Sequence, residues 1–177
     1  MLLLISLSIF ITLLSAPVMC SAKTIDTSTV SEFDIERYMG KWYEIARFDN
    51  RYERNLTAVT AEYSLSPENE VSIVNRGFNT KDMEWREALG TGRETSTLGR
   101  LKVSFFMFFS SDYNVMELGE SYEWALVGSS TDKYLWILSR TPSLSDSTLS
   151  HIFRIAQERG YNIENLTLIE HEEVAQM

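Results

Sequence analysis

Cysteine and histidine are scarce in this chain of 177 residues, and both shortages exclude common kinds of site. The single cysteine, Cys20, cannot form a disulfide within the chain. Neither histidine, His151 or His171, lies near a plausible serine or cysteine nucleophile in the sequence, so triad catalysis has no support. Metal-ligand spacings and glycine-rich phosphate loops are missing too. We therefore expect no metal, no cofactor and no enzymatic activity.

Basic residues are also few, with 16 Lys and Arg against 25 Asp and Glu, which gives a formal net charge of -9. This balance excludes nucleic acid as an expected partner, because phosphate binding requires clustered Lys and Arg. The charges are dispersed, which is typical of a solvated surface. Asp112 and Glu117 flank a predicted strand start, but two carboxylates this close in sequence are typical of surface charge rather than of catalysis.

The longest apolar run covers residues 2–14 and is followed by small residues around Cys20. This pattern predicts a secretory signal peptide over residues 1–22, and the run is short for a bilayer span. A retained membrane anchor is the alternative. Cys20 also lies where a lipoprotein would carry its lipidated cysteine, so the mature chain is expected to begin either at Cys20 with attached lipid or at Lys23.

The mature chain begins with a polar stretch and continues with strands. Residues 23–32 are predicted to be a flexible lead-in. Residues 33–39 are predicted to form a short helical turn, with Phe33, Ile35 and Met39 available to plug one end of a barrel. Alternating apolar and polar residues then predict strands at residues 40–47, 59–65, 71–75, 84–93, 99–105, 113–118, 122–127 and 134–140. Eight short strands at hairpin spacing predict an all-β fold, an eight-stranded up-and-down antiparallel β-barrel that can hold one small ligand.

After Pro142 the apolar period changes from two to that of a helix. Ser145 or Asp146 can cap its start and Gly160 its end. The apolar face of this helix consists of Leu149, Ile152, Phe153 and Ala156.

Two distant positions are predicted to meet at one end of the barrel. Gly40 permits a sharp entry into the first strand, and Trp42 needs a pocket and a partner for its indole N–H. Arg140 ends the eighth strand, and its guanidinium can lie over an indole face while reaching backbone carbonyls. We expect Trp42 and Arg140 to close this end together.

Three motifs carry a resemblance to a known family. They are Gly40-Lys41-Trp42-Tyr43-Glu44-Ile45-Ala46-Arg47, Tyr122-Glu123-Trp124-Ala125-Leu126-Val127 and Leu135-Trp136-Ile137-Leu138-Ser139-Arg140-Thr141-Pro142. In order and spacing they resemble the lipocalin family, in its bacterial outer-membrane and apolipoprotein D-like branch. The resemblance implies a lipocalin domain over residues 33–170, a helix packed outside the barrel, a short strand at residues 166–169 and an acidic tail at residues 171–177.

The resemblance also implies a ligand site on the inward row of the barrel. The positions that face the cavity in relatives are Tyr63, Asn75, Phe105, Tyr113 and Trp136. Their chemistry suits a mostly apolar pocket with a few orienting polar groups. The alternative is that these side chains fill a closed core, as they can in small eight-stranded barrels.

The aromatic run at residues 105–109 has two interpretations. Its side chains can divide between the cavity and outer packing. Alternatively, they form an exposed apolar rim that contacts a membrane or a second subunit in a homodimer.

The resemblance implies binding, storage or transport of a small hydrophobic or amphipathic ligand at the bacterial cell envelope. The expected ligand is a fatty acid or a lysophospholipid. The expected location is the periplasm or the outer membrane, with secretion as the alternative and with membrane association through a lipidated Cys20. A lipid-modifying enzyme on the same barrel and a carrier of a non-lipid chromophore or tetrapyrrole are the alternative functions.

Overall fold

The computed structural model describes residues 24–106 and 109–171. The predicted signal peptide with Cys20, most of the predicted acidic tail, and Met107 and Phe108 lie outside the described residues, as do the side chains of Phe106 and Phe109. Within the described part of the chain, no helix combines the length and the apolar composition that crossing a bilayer requires.

Antiparallel strands form one closed sheet, which confirms the predicted eight-stranded barrel. The strands are β1 (Gly40–Phe48), β2 (Leu56–Leu65), β3 (Val71–Asn79), β4 (Glu84–Glu94), β5 (Arg100–Phe106), β6 (Phe109–Leu118), β7 (Trp124–Gly128) and β8 (Leu135–Ser139). Each strand pairs with the next, and β1 pairs with both β8 and β2, which closes the barrel. A ninth strand, β9 (Leu166–Leu168), is not part of the barrel circuit and pairs antiparallel with the last residues of β1.

Three strand starts differ from the prediction by two residues or more. The second strand begins at Leu56 rather than at residue 59, and the other two differences have local reasons. The seventh strand begins at Trp124 rather than at Tyr122, because Tyr122 occupies a tight turn with a φ of 61° and donates its N–H to the Gly119 carbonyl. The sixth strand begins at Phe109, four residues before the predicted start, because β5 and β6 remain paired up to Phe106 and Phe109.

A short helix, α1 (Ile35–Tyr38), covers one end of the barrel, here called the plugged end. Asp34 caps it by accepting hydrogen bonds from the N–H groups of Glu36 and Arg37. The buried residue of this helix is Tyr38, which is 1% exposed. The three predicted plug residues are only partly buried and pack around the interior cluster.

The other end of the barrel, here called the mouth, carries the loop at residues 49–55 and the turns at residues 80–83 and 129–134. Side chains facing the barrel interior form one apolar cluster. A second cluster lies on the outer face, where β1, β7 and β8 meet the second helix, α2 (Asp146–Glu158). The helix is capped by Ser145 and buries Ile152 and Ala156 against the barrel, while Leu149 and Phe153 are half-buried there.

A β-bulge in β1 changes which side chains of this strand face the interior and which face the outer cluster. Successive side chains of a strand point to opposite faces, so an extra residue reverses the alternation. The register against β8 shifts between Glu44 and Ala46. Glu44 and Arg47 therefore both face the interior, while Ile45, Ala46 and Phe48 pack in the outer cluster.

The strap, residues 24–32, makes fixed contacts along the barrel, although the sequence predicts a flexible lead-in. The Val30 N–H donates to the Val115 carbonyl at 3.0 Å, and the Asp26 N–H donates to the Arg159 carbonyl at 2.7 Å. Arg159 also pairs with Asp26 and donates to the Ser28 carbonyl. The strap is therefore held by two backbone hydrogen bonds and by the side chain of Arg159.

His171, predicted to open the acidic tail, is also packed on the barrel. Its Nε2 lies 2.9 Å from the Glu44 carbonyl oxygen, and its ring meets the edge of Tyr43.

Candidate ligand-binding site

Trp42 and Arg140 meet at the plugged end. The Trp42 ring is fully buried and its Nε1 donates to the Tyr38 carbonyl at 2.8 Å. The Arg140 guanidinium carbon lies 3.8 Å from the centroid of that ring. Its nitrogens donate to the carbonyls of Arg37, Lys41 and Tyr122 at 2.8, 3.0 and 3.3 Å. One arginine thus joins α1, β1 and the turn between β6 and β7.

Gly40 is required where β1 begins beside this arginine. Its φ is +91°, a conformation that side chains with a Cβ rarely adopt. A Cβ built there would make only an ordinary contact, 3.5 Å from Arg140 Nη1, so the backbone conformation is what requires glycine.

Three tyrosine hydroxyls meet in the interior above the plug. The Tyr113 hydroxyl lies 2.7 Å from that of Tyr38 and 3.0 Å from that of Tyr63. Burial raises the pKa of Tyr63 to about 12, and burial also raises the pKa values of Tyr38 and Tyr113 well above the ordinary value. The three rings are therefore neutral at physiological pH and form a connected aromatic floor.

Nearer the mouth the interior contains a buried ion pair. Glu44 and Arg47 are 3% and 4% exposed, and Arg47 Nη1 lies 2.6 Å from Glu44 Oε1. Both face inward because they pair across the sheet with Leu138 and Trp136, which belong to the interior cluster. Arg47 Nη2 also donates to the Glu53 and Leu56 carbonyls at 2.7 and 2.9 Å, which ties the loop at residues 49–55 to the strand.

The side chain of Glu53 extends from this loop toward the buried ion pair of Glu44 and Arg47. Its Oε2 accepts hydrogen bonds from Trp136 Nε1 at 3.0 Å and from Asn50 Nδ2. The Tyr134 ring stacks on Trp136, with centroids 5.7 Å apart and planes at 12°. We call Glu44, Arg47 and Glu53 the acid–arginine cluster.

Burial raises the pKa of Glu44 well above its ordinary value, and the nearby Glu53 carboxylate adds to this rise, while Arg47 opposes it. A second negative charge in this interior is therefore unfavourable.

The two remaining predicted residues, Asn75 and Phe105, also face inward. Asn75 pairs across the sheet with Ala61, which is part of the interior cluster. Phe105 packs over Gly90, where an added Cβ would lie 2.8 Å from the Phe105 ring. Among the described residues, Asn75 Oδ1 and Arg47 Nε are buried and have no hydrogen-bond partner.

The five predicted residues thus line one interior at different depths. Tyr63 and Tyr113 belong to the aromatic floor, and Trp136 lies against the acid–arginine cluster. Sequence reasoning missed Tyr38, Glu44, Arg47 and Glu53. A signal for two of them was present in the sequence, because Glu44 and Arg47 are charged residues in a stretch, residues 42–48, whose other members are apolar or aromatic.

The acidic residues and the histidine for which the sequence predicts no catalytic role lie outside the barrel. Asp112 pairs with Lys102 at 2.6 Å and Glu117 with Arg159 at 3.2 Å, as expected of surface charge.

His151 contacts Trp124 on the helix side of the barrel, beside a groove of about 400 Å³. A second groove, of about 550 Å³, lies outside the mouth near Asn50 and Tyr134. None of the five predicted residues lines either groove.

Comparison with known proteins agrees with this architecture. A family model described as a lipocalin-like domain matches residues 33–171. The outer membrane lipoprotein Blc of Escherichia coli (strain K12) is 40% identical over 157 residues, covering 86% of this chain and 89% of that protein. Apolipoprotein D of Bos taurus is 30% identical over 146 residues, covering 77% of this chain and 76% of that protein.

The solved structure of insecticyanin from the tobacco hornworm Manduca sexta superposes with a TM-score of 0.69 at 19% identity. It covers 85% of this chain and 87% of the insecticyanin chain. The family model, the relatives and the fold agree with the three sequence motifs: the chain belongs to the lipocalin family.

Proposed function

We propose that this protein binds a small amphipathic lipid, a fatty acid or a lysophospholipid, and stores or transports it at the bacterial cell envelope. The observation that carries the proposal is the layered interior. An apolar wall and an aromatic floor lie below a polar cluster nearer the mouth, in which Glu44 and Arg47 are buried and Glu53 is half-buried. This arrangement suits an acyl chain with a polar head. Each methylene removed from water contributes about 0.8 kcal/mol, so the chain supplies most of the affinity without any reaction.

The relatives support the cellular setting. Proteins 39% to 42% identical to this chain are named outer membrane lipoproteins. Cys20 follows the apolar run at residues 2–14, as a lipidated cysteine would. We propose that the chain is exported and associates with the outer membrane through Cys20.

Native mass spectrometry of the mature protein, followed by lipid extraction, tests the ligand proposal. We expect adducts whose masses match fatty acids or lysophospholipids. Delipidated protein that takes up neither class in calorimetric titration would contradict the proposal, and an absorbance band in the purified protein would favour a chromophore carrier instead.

A further inference from the structure

The hairpin formed by β3 and β4 extends past the neighbouring strand β5 at the mouth. Strands β3 and β4 stay paired as far as Asn79 and Glu84, whereas β4 pairs with β5 only over residues 91–94. Among the strands of the described residues, β3 is therefore the only one that pairs with residues 84–90 of β4. The hairpin projects at the mouth, where a surface lying across the barrel would meet it.

The projecting part of this hairpin carries large apolar side chains that face away from the barrel. Three of the six large apolar residues that are exposed in the described part of the chain lie there: Met83, Trp85 and Leu89 are 59%, 44% and 69% exposed. An added Cβ on Gly92 would contact the interior residue Val103, so Trp85 and Leu89, at odd-numbered positions of the same strand, face outward. We call Met83, Trp85 and Leu89 the hairpin patch. Exposed apolar groups that gather in one place mark a contact surface.

The charges around the hairpin patch cancel, although the whole chain has a formal net charge of -9. Residues 76–89 contain three basic and three acidic side chains. The guanidinium carbon of Arg76 lies 4.3 Å from the centroid of the Trp85 ring. An indole ring covered by an arginine suits the headgroup layer of a bilayer, where the ring meets apolar carbon and the charge stays in water.

The proposed lipid anchor lies at the same end of the barrel as the hairpin patch. The strap places Thr24 beside Gly160, where an added Cβ would lie 3.3 Å from the Thr24 carbonyl oxygen. This turn is on the mouth side, because the next residue, Tyr161, packs against Phe48 at the end of β1. Cys20 precedes Thr24 by four residues, which span at most about 14 Å.

The anchor and the hairpin patch lie on opposite sides of that end. The helix α2, which leads to the turn beside the strap, packs on β1, β7 and β8, and these strands lie across the barrel from β3 and β4. A flat membrane that holds the anchor on one side and contacts the hairpin patch on the other must therefore lie across the mouth.

We propose that the hairpin patch enters the headgroup layer of a lipid bilayer and, together with the anchor, holds the mouth against the membrane. A lipid then passes between the bilayer and the barrel without crossing open water. The orientation rests on the proposed function, because it uses a lipidated Cys20, whereas contact by the hairpin patch does not require the anchor.

The unlipidated mature protein tests the contact made by the hairpin patch. Flotation with vesicles of phosphatidylethanolamine and phosphatidylglycerol measures binding, and calorimetric titration of a lysophospholipid is run on the same protein. We expect Leu89→Glu to weaken vesicle binding about tenfold, because a charge replaces an apolar side chain at the lipid contact. Leu98→Glu is the matched control: Leu98 is 54% exposed in the turn between β4 and β5 at the plugged end, and its variant should bind as wild type does.

Tryptophan fluorescence locates the contact. Trp42 and Trp124 are buried and Trp136 is half-buried, which leaves Trp85 as the most exposed of the four tryptophans. Vesicle lipids brominated near the headgroup should quench the emission of the wild type, and Trp85→Phe should remove most of this quenching. Quenching that survives in Trp85→Phe would overturn the inference, since it would come from lipid inside the barrel beside Trp136.

Three further results would overturn the inference: wild type that does not bind vesicles, equal binding by the two glutamate variants, or a dimer that forms without vesicles and is lost in Leu89→Glu. The last of these would assign the hairpin patch to a second copy of the chain. The lysophospholipid titration keeps the two proposals apart. Uptake by protein that does not bind vesicles leaves the proposed function intact, and vesicle binding without uptake contradicts the proposed function alone.

Discussion

At the scale of single residues, Arg140 joins α1, β1 and the turn between β6 and β7 at the plugged end. We expect Arg140→Ala to lower the free energy of unfolding by about 1–3 kcal/mol, because it loses a cation–π contact and hydrogen bonds to three carbonyls. Urea denaturation measures this. Arg154→Ala, which removes an exposed pair on α2, should cost about 0.5 kcal/mol or less. An unchanged midpoint for Arg140→Ala would show that the contact does not stabilise the fold.

Tyr63 makes stability depend on alkaline pH. Its pKa is raised to about 12 in the folded protein from an ordinary value of 10, so the folded state holds the proton more firmly than the unfolded state. The stabilisation is complete below pH 10 and is lost as the pH rises toward 12. Tyr63→Phe should reduce the fall in unfolding free energy over this interval, measured by urea denaturation at successive pH values. A fall as steep as that of wild type would exclude Tyr63 as its source.

At the scale of elements, the strap packs against the barrel at Gly99, where the absence of a side chain lets Val30 approach closely. Gly99 has a φ of +69°, and a Cβ there would lie 2.9 Å from Val30 Cγ2. We expect Gly99→Ala to destabilise the fold by about 1–2 kcal/mol through backbone strain alone, and to speed hydrogen exchange at the Val30 amide. Gly92→Ala is the matched control, because its Cβ would meet only ordinary contacts at 3.4 Å and beyond. Unchanged exchange at Val30 in Gly99→Ala would contradict this account.

Strand β8 contributes Trp136 to the site, which makes a second prediction at this scale. Trp136→Ala should weaken binding of a long-chain fatty acid or lysophospholipid by about 1–3 kcal/mol, since the ring area is lost, and should leave the barrel folded. Trp136→Phe retains much of the area but removes the hydrogen bond to Glu53. Calorimetric titration compares them with wild type. Equal affinities in three folded proteins would remove Trp136 from the site.

The sequence predicted the secondary-structure elements better than it predicted which side chains form the candidate site. The period of the apolar residues is a local signal: a period of two located all eight barrel strands, and a helical period located the outer helix. The bulge after Glu44 could not be read from alternation, because one extra residue changes the face without changing the composition. Glu53 was missed because its contacts depend on a loop folding over the mouth. The contacts of the strap could not be predicted because its backbone partners, Val115 and Arg159, lie far along the chain.

At the scale of the whole molecule, we expect the start of the mature chain to determine whether the protein is anchored to a membrane. Mass spectrometry of the mature protein is expected to show a start at Cys20 with attached acyl chains, because the relatives are named lipoproteins. A start at Lys23 would indicate an unanchored form, and an intact Met1 would contradict export. Replacing Cys20 with Ser provides the control, since it removes the only thiol that can carry the lipid.

The closure of the barrel has a consequence for the order of events during synthesis. Strand β1, near the start of the mature chain, completes its pairing only with β8 and β9, near its end, and Arg140 reaches back to Arg37 across 103 positions. Contacts this distant form late, because the intervening chain must first be available. A partly synthesised chain therefore cannot close its barrel. Hairpins such as β2–β3 pair neighbouring residues and can form earlier, so barrel closure is the last step and waits for β8 and β9 to be synthesised.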